Sequence, residues 1–432
     1  MSQESGVLHE LPARRLETVP PILRIGALVL IVIGVIAFIG ALLTDASRAW
    51  RAYHFNWLFF TTVAQGAVTL AAAVTITRGL WSRPIRRIAL AFVAFLPVAY
   101  LLVIPILLFG APHIFPWIEH PVVKKAAYLN VPFLSARTLL LLGILFTLDL
   151  VFAYFSLRPD LGRLQNDVGE KLRGLYGLFT RRWRGQEQEE VRSYQRLARL
   201  APLLALTWAL SFGVLAWDFV MSLEPHWFST MIGPYFFMGG FLGGIAATAV
   251  ACILYAVRGG QDDVILPTNF HDLGKMMFGF CVFWAYLFYS QFIVIWYGLL
   301  PIEQDWLIHR LTATFEPIMV SVVFGLFILP FFGLLGVRPK RTPRVLLVFA
   351  GIVLTGLWLE RYMLVYPSLY IGVGNIPMNW QEIGIALGFA GLLLTCVLWF
   401  ATRFPLFQMW QPMSEVELMG VDAPELASET IR

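Results

Sequence analysis

The sequence predicts an all-α polytopic membrane protein with about ten transmembrane helices. Of its 432 residues, 58% are hydrophobic and only 14% are charged, and the mean hydropathy is +0.72. In a soluble domain about a quarter of the residues carry a charge. The apolar residues form ten runs of roughly 20 residues, the length at which a helix crosses a bilayer. These runs lack the two-residue alternation of barrel strands, so we predict helices, which satisfy their own backbone groups in lipid.

The predicted spans follow one another along almost the whole chain. They cover residues 22–43, 54–77, 88–110, 133–157, 202–222, 231–257, 272–300, 309–336, 344–366 and 381–402. The first run follows three arginines, as the apolar core of a signal peptide would. It is too long for such a core and lacks a small-residue cleavage site. We therefore predict that it is an uncleaved first span.

Lysine and arginine residues are distributed unevenly between the connections. With the N-terminus inside, the inside segments hold 25 of them and the outside segments hold 5, while Arg137 and Arg361 lie within spans. Because cytoplasmic connections are enriched in these residues, we expect both tails, 1–21 and 403–432, to be cytoplasmic in the inner membrane of a bacterium. The net charge of +5 reflects this asymmetry and does not indicate nucleic-acid binding.

Two parts of the chain resemble each other at an offset of 180 residues. Arg78-Gly79 after the second span matches Arg258-Gly259 after the sixth, and Arg158-Pro159 matches Arg338-Pro339. Each copy would hold an even number of spans, so the copies would share one orientation, as in a parallel repeat. The alternative is that these dipeptides are ordinary helix stops. The interpretation is two four-helix units flanked by single spans, with boundaries at 22–53, 54–222, 223–366 and 367–402.

A long inside segment, residues 158–201, joins the fourth and fifth spans. Its apolar residues fall on one helical face, and basic residues surround them. The apolar face consists of Leu172, Leu175, Tyr176, Phe179 and Trp183. This pattern predicts an amphipathic cytoplasmic helix that lies on membrane lipid at the inner leaflet. A solvated linker is the alternative.

Four acids lie inside predicted spans, where each costs at least ~2.5 kcal/mol at the bilayer centre. We expect them to face the bundle interior and, with His271 and Asp272 at the inner end, to be candidates for a proton pathway. Because Glu360 and Arg361 are neighbours on a helix, we expect each to need its own partner. The alternative is that buried pairs fix the helix register. The acids are Asp149, Asp218, Glu316 and Glu360, and the basic residues that could pair with them are Arg137 and Arg361.

The stretch Trp217–Phe228 places two carboxylates and an imidazole at the outer end of a span. Asp218, Glu224, His226 and the nearby Tyr235 are candidates for a quinone site or an outer proton site. A histidine beside a carboxylate can exchange protons with a quinol headgroup. The alternative for His226 is an interfacial histidine beside the aromatic belt.

Cofactor-attachment motifs are missing from the sequence. Cys252, Cys281 and Cys396 lie apart within spans, without the spacing of metal sites or haem c attachment. No histidine lies deep in a span, as haem ligation by two histidines would require. We therefore expect no covalently bound cofactor and no metal. A quinone or quinol is a candidate ligand, because aromatic residues that could line a quinone-tail groove run through 278–295.

Two longer motifs resemble the quinone-binding membrane subunits of alternative complex III. Residues 218–230 read Asp-x-x-Met-Ser-Leu-Glu-Pro-His-Trp-Phe-Ser-Thr, and residues 269–275 read Asn-Phe-His-Asp-Leu-Gly-Lys, followed by Ile-Trp-Tyr-Gly at 295–298. Together they resemble the second, smaller of the two homologous large subunits, within the polysulfide-reductase-type (NrfD-like) family. The resemblance covers most of residues 22–402. Residues 299–303, Leu-Leu-Pro-Ile-Glu, replace the expected Asn-Leu-Pro-Glu-Glu and so lack an amide and a carboxylate.

This resemblance implies ten helices in two four-helix bundles and a complex that passes electrons from quinol to cytochrome c. It also implies that haem c and iron–sulfur clusters lie in partner subunits and that this chain holds no metal. The expected partners are the homologous larger quinone-binding subunit, an iron–sulfur subunit and cytochrome c subunits. Two other functions stay open. One is a secondary transporter, which can also combine parallel repeats with intramembrane acids. The other is a purely structural anchor of the complex.

Overall fold

The computed structural model describes residues 14–410, which are mostly helical and include no strand. Ten of its helices are long and apolar enough to cross a membrane, and three shorter ones lie in the connections. The spanning helices are α1 Pro21–Thr44, α2 Ala46–Ile76, α3 Arg83–Ile114, α4 Val131–Leu164, α6 Gln186–Leu223, α7 Ile232–Gly259, α8 Pro267–Gly298, α10 Glu316–Gly333, α12 Pro343–Leu369 and α13 Trp380–Arg403. The short helices are α5 Glu170–Phe179, α9 Pro301–Arg310 and α11 Val337–Arg341. The all-α polytopic fold is confirmed, while most of both predicted tails lies outside the described residues.

Three spans differ from their predicted form. The fifth, α6, begins at Gln186, well before residue 202. The eighth, α10, begins at Glu316 and not at 309, because Pro317 fits the first turn of a helix and the residues before it form a separate helix, α9. The third, α3, is irregular: Pro105 lies inside it, and a π-helical stretch follows at Ile106–Gly110. Proline removes a backbone hydrogen bond inside a helix, which accounts for this local change.

The centre of the bundle is formed by α2 and α7, the two most buried spans. Their backbones touch, since a Cβ atom added to Gly66 would lie 2.1 Å from the carbonyl oxygen of Gly240. Small residues allow membrane helices to approach this closely. Both α6 and α12 pack against both central helices. In a duplicated chain the second and sixth spans are equivalent, and so are the fifth and ninth, so contacts of both kinds are expected. The boundaries of the two units stay a prediction.

The first and last spans, α1 and α13, pack against each other. A Cβ atom added to Gly34 would lie 2.3 Å from the Cα atom of Gly388, so small residues again line the contact. Both helices also contact α2. The two flanking helices therefore form a pair that packs against α2.

The segment 158–201 differs from the predicted interfacial helix. Much of it extends the long helices α4 and α6, and only α5 is a separate helix. The side chain of Tyr176 on α5 is fully buried, and its hydroxyl donates to the carbonyl oxygen of Arg403 at 2.9 Å. The ring of Trp183 lies directly over Gly162. Protein therefore covers part of this apolar face; Leu172, Leu175, Phe179 and Trp183 stay partly exposed, and their contact with lipid stays a prediction.

The chain after α13 folds back under the bundle. We call this end of the bundle, where α13 finishes, the tail end, and the end that holds Trp217–Phe228 the motif end. Asp160 on α4 forms a buried ion pair with Arg87 and accepts the backbone N–H of Trp410 at 3.2 Å. The indole of Trp410 donates to the carbonyl oxygen of Ser156 at 3.0 Å. These contacts hold residues 404–410 against the tail end.

Candidate functional site

A buried ion pair lies on α12, in the half nearer the motif end. Glu360 and Arg361 are each 1% exposed, and Nη1 of Arg361 donates to Oε2 of Glu360 at 2.5 Å. The long arginine side chain folds back to its neighbour, so the two residues pair with each other, and each also meets a partner on α7. Nη2 of Arg361 also donates to the carbonyl oxygen of Phe236 on α7 at 2.7 Å. The second oxygen of Glu360, Oε1, makes no hydrogen bond of normal geometry among the described residues, but the side chains of Tyr235 and Trp284 approach this carboxyl group as donors.

A narrow cavity lies beside this carboxyl group. Its polar lining residues are Tyr235, Gln291, Arg310 and Glu360, and the rest of the lining is apolar and aromatic. The space open to the centre of a water molecule is about 20 Å³, which is enough for about one water. A quinone headgroup would fit only if side chains moved.

The cavity occurs where two helices separate. Near the tail end α8 and α10 are in contact, with Phe278 stacked on Phe331 at 5.6 Å between ring centroids. Toward the motif end, the first two turns of α10 pack mainly on α12. Aromatic residues of α8 line the gap, and Trp284 stacks on Phe288 at 5.5 Å. Part of the aromatic run at 278–295 therefore faces the interior.

Arg310 closes the cavity at the motif end. Its guanidinium is 1% exposed and donates to Glu224 at 3.1 Å and to the hydroxyl of Ser368 at 2.9 Å. Burial lowers the pKa of Arg310 to about 10, so the group stays charged at neutral pH. Nδ1 of His309 lies 3.7 Å from the other oxygen of Glu224. Arg310 and His309 were not predicted as site residues from the sequence. A signal was present, because both lie at the start of the predicted eighth span and follow a loop that contains Glu303.

Asp218 lies in a separate cluster. Arg137 on α4 donates to both oxygens of this carboxylate at 2.6 Å, and the hydroxyl of Tyr128 donates at 3.0 Å. The guanidinium also lies 3.7 Å from the centroid of the Tyr128 ring. Burial raises the pKa of Tyr128 to about 12, so the phenol stays a donor. Both carboxylate oxygens therefore have partners. This arrangement is typical of a buried ion pair that fixes the register of two helices.

Four other candidates lie away from these clusters. His226 is exposed, and Glu316 is exposed as the first residue of α10. Glu316 therefore does not face the bundle interior, because the helix starts later than predicted. His271 and Asp272 are partly exposed near the tail end, where Asp272 pairs with Lys275 at 2.6 Å. The structure brings together Tyr235, Glu360 and Arg361 but not the whole predicted set.

Asp149 is the second buried acid that is incompletely paired. The amide of Gln65 on α2 donates to its Oδ1 at 3.1 Å, and Oδ2 has no partner among the described residues. His54, Thr61 and Thr69 share one face of α2 with Gln65 and also carry buried groups without a described partner. Their spacing of seven, four and four residues along α2 was readable in the sequence. This polar face of α2 was not predicted, because its residues lie mostly among apolar neighbours in the sequence.

Within residues 14–410, no group of three or more His, Cys, Asp or Glu side chains could hold a metal ion. The three cysteines are free. A family model described as polysulphide reductase, NrfD, matches residues 42–373. The match spans about three quarters of the chain and runs from the end of α1 to just past α12. No curated protein matches the chain.

Proposed function

The chain belongs to the NrfD family, and from this premise we propose that it is a subunit of a quinol:cytochrome c oxidoreductase of the alternative complex III type. The family makes it a membrane subunit of a quinone-interacting oxidoreductase complex. In our proposal it is the second, smaller quinone-binding-type subunit, and it moves protons or binds quinone. Iron–sulfur and haem c subunits of the same complex would carry the electrons.

The observation that carries the proposal is the environment of Glu360. A carboxyl group buried at membrane depth is costly and calls for a function. One oxygen of Glu360 is held by Arg361, and the other makes no hydrogen bond of normal geometry among the described residues, although Tyr235 and Trp284 approach it. The residue borders a space for about one water. Such a group can accept a proton from a water on one oxygen while the other oxygen keeps its hydrogen bond to Arg361, although the attraction between opposite charges is then lost. The cavity therefore favours proton conduction over tight quinone binding.

The direction of this pathway follows from the charge asymmetry. The excess of lysine and arginine in the connections at the tail end supports a cytoplasmic tail end. The motif end, with Arg310, Glu224 and His309, would then face the periplasm of a bacterium. The Glu224 carboxylate lies on the far side of Arg310, so a proton that leaves the Glu360 cavity toward the motif end would reach it only if this guanidinium moved aside.

A purely structural anchor is the second candidate, and a specific observation favours it. Both oxygens of Asp218 are bound by Arg137, which supports a structural role for this part of the Trp217–Phe228 motif. The two candidates differ in what they predict for Glu360, since an anchor needs no residue that changes protonation.

The test has two parts. First, the full chain is purified with its native partners, and haem c and iron–sulfur spectra are recorded; their absence would contradict the complex. Second, Glu360→Gln is compared with Glu316→Gln, a matched control at an exposed acid. We expect Glu360→Gln to lower quinol oxidation or proton release by about 100-fold, with the control unchanged. Normal turnover and proton release in an assembled Glu360→Gln complex would support the anchor.

A further inference from the structure

A groove at the motif end is not used by the proposed function. It lies between the loop 123–130 and the end of α6, and we call it the Trp227 groove. Its lining includes Lys125, Tyr128, Trp217, Met221 and Trp227, and its volume is about 210 Å³. By the same measure it is about ten times larger than the Glu360 cavity. It could therefore hold a ligand group larger than water.

Two residues that line this groove carry hydrogen-bond donors that are not fully used. Trp227 is 2% exposed and stacks on Trp306 at 4.4 Å, yet its indole Nε1 has no partner among the described residues. The ammonium of Lys125 donates once, to the carbonyl oxygen of Pro225 at 2.6 Å. An ammonium has three donors, so two of them stay free for a ligand. A buried indole N–H normally finds an acceptor.

The groove offers a ligand no proton acceptor. No carboxylate or imidazole lines it, and the nearby Asp218 is fully bound by Arg137 and Tyr128. A quinol must give up protons, so these walls do not suit it. A phosphodiester only accepts hydrogen bonds and carries a negative charge, which matches a lysine and an indole N–H.

An apolar track leads from the groove along the membrane-facing side of α6. Leu203, Leu206, Leu210 and Trp217 are 40–61% exposed and share one helical face. Gly213 lies on this track, and a Cβ atom added there would meet no other atom within 4 Å. The track therefore contains a shallow notch in which an acyl chain could lie.

We propose that the Trp227 groove binds an anionic phospholipid. The phosphate accepts hydrogen bonds from Lys125 and from Trp227 Nε1, and an acyl chain follows the leucine track of α6. Lysine and tryptophan are the residues that meet lipid headgroups at the membrane surface. This site is independent of the electron-transfer proposal, because none of its groups borders the Glu360 cavity.

The test measures lipid retention by the full purified chain. Native mass spectrometry is run after addition of phosphatidylglycerol, of zwitterionic phosphatidylethanolamine, or of inorganic phosphate with a detergent. The variants are Lys125→Gln and Trp227→Phe, the second of which keeps an aromatic ring against Trp306 but removes the N–H together with part of the indole. Lys124→Gln is the matched control, since Lys124 is exposed on the same loop and does not line the groove.

We expect phosphatidylglycerol to bind most tightly and each variant to weaken it by about tenfold, as the loss of one hydrogen bond to a charged group predicts. Lys124→Gln should bind like the unaltered chain. Thermal midpoints in lipid-free detergent check that each variant folds, and a variant that does not fold is replaced by Lys125→Met. Equal retention by the folded variants and the control would overturn the proposal. Binding of inorganic phosphate as tight as that of the lipid would also overturn it.

Discussion

The Asp218–Arg137 pair gives the sharpest prediction, because the sequence and the structure assign it different roles. Asp218→Asn removes the negative charge but keeps the size of the side chain. The guanidinium of Arg137 then stays buried, 9% exposed, without its counter-charge. One carboxylate oxygen, which now accepts a bond at 2.6 Å, becomes an NH₂ group that faces another donor.

Removing one partner of a buried ion pair costs about 3–5 kcal/mol. This cost corresponds to a factor of roughly 150 to 5,000 in the unfolding equilibrium. We therefore expect Asp218→Asn to lower the free energy of unfolding by this amount, measured in a lipid bicelle by a method suited to membrane proteins. The double variant Asp218→Asn with Arg137→Gln should recover part of the loss, since it removes the unpaired charge.

The refuting result is equally specific. If Asp218→Asn leaves stability within about 0.5 kcal/mol of the unaltered chain but lowers turnover in the assembled complex, Asp218 exchanges protons and the structural assignment is wrong. Loss of stability together with normal turnover of the folded fraction would support the structural role. The exposed acid Glu316, changed to Gln, serves as the control for any general effect of a lost charge.

Three further predictions concern packing and exposure. Gly244→Val should prevent stable assembly of the bundle, because a Cβ atom there would lie 2.1 Å from the backbone of Gly66. Gly279→Ala should not, because a Cβ atom there meets open space. Equal yields of folded protein from both variants would contradict this prediction. Asp160→Asn should release the segment 404–410 and speed trypsin cleavage after Arg403, and an unchanged cleavage rate would show that other contacts hold the segment. His226→Ala should change the free energy of unfolding by less than about 0.5 kcal/mol and leave turnover unaltered, because the side chain is exposed. A clear loss of turnover would show that His226 is a site residue after all.

The number and order of the spans could be predicted from the sequence, since apolar runs of spanning length are a local property of the chain. Irregularities within spans could not be predicted so well. The π-helical stretch after Pro105 and the late start of α10 before Pro317 both accompany prolines, which a hydropathy pattern does not distinguish from other residues of a span. The pairing of α1 with α13 joins the two ends of the chain, and no local pattern encodes it.

The candidate site was harder to predict, because a residue type does not reveal its partners. Asp218 and Glu360 both looked like costly intramembrane acids. Only the structure separates the first, with Arg137 and Tyr128 on its two oxygens, from the second, with one oxygen that makes no hydrogen bond of normal geometry among the described residues. In the sequence Arg310 is only one of the five basic residues of the outside segments. In the structure it is a buried cation that lines the cavity and binds Glu224.

The two incompletely paired acids lie in different halves of the molecule. Asp149 accepts from Gln65 on α2 in the first predicted unit, and Glu360 faces Tyr235 on α7 in the second. Between them the backbones of α2 and α7 are in contact at Gly66 and Gly240, where no water can pass. A chain of water molecules that connected Asp149 with Glu360 would have to pass around this contact between α2 and α7. The tight central contact therefore favours two separate half-routes, so that Glu360→Gln tests the second unit without closing the first.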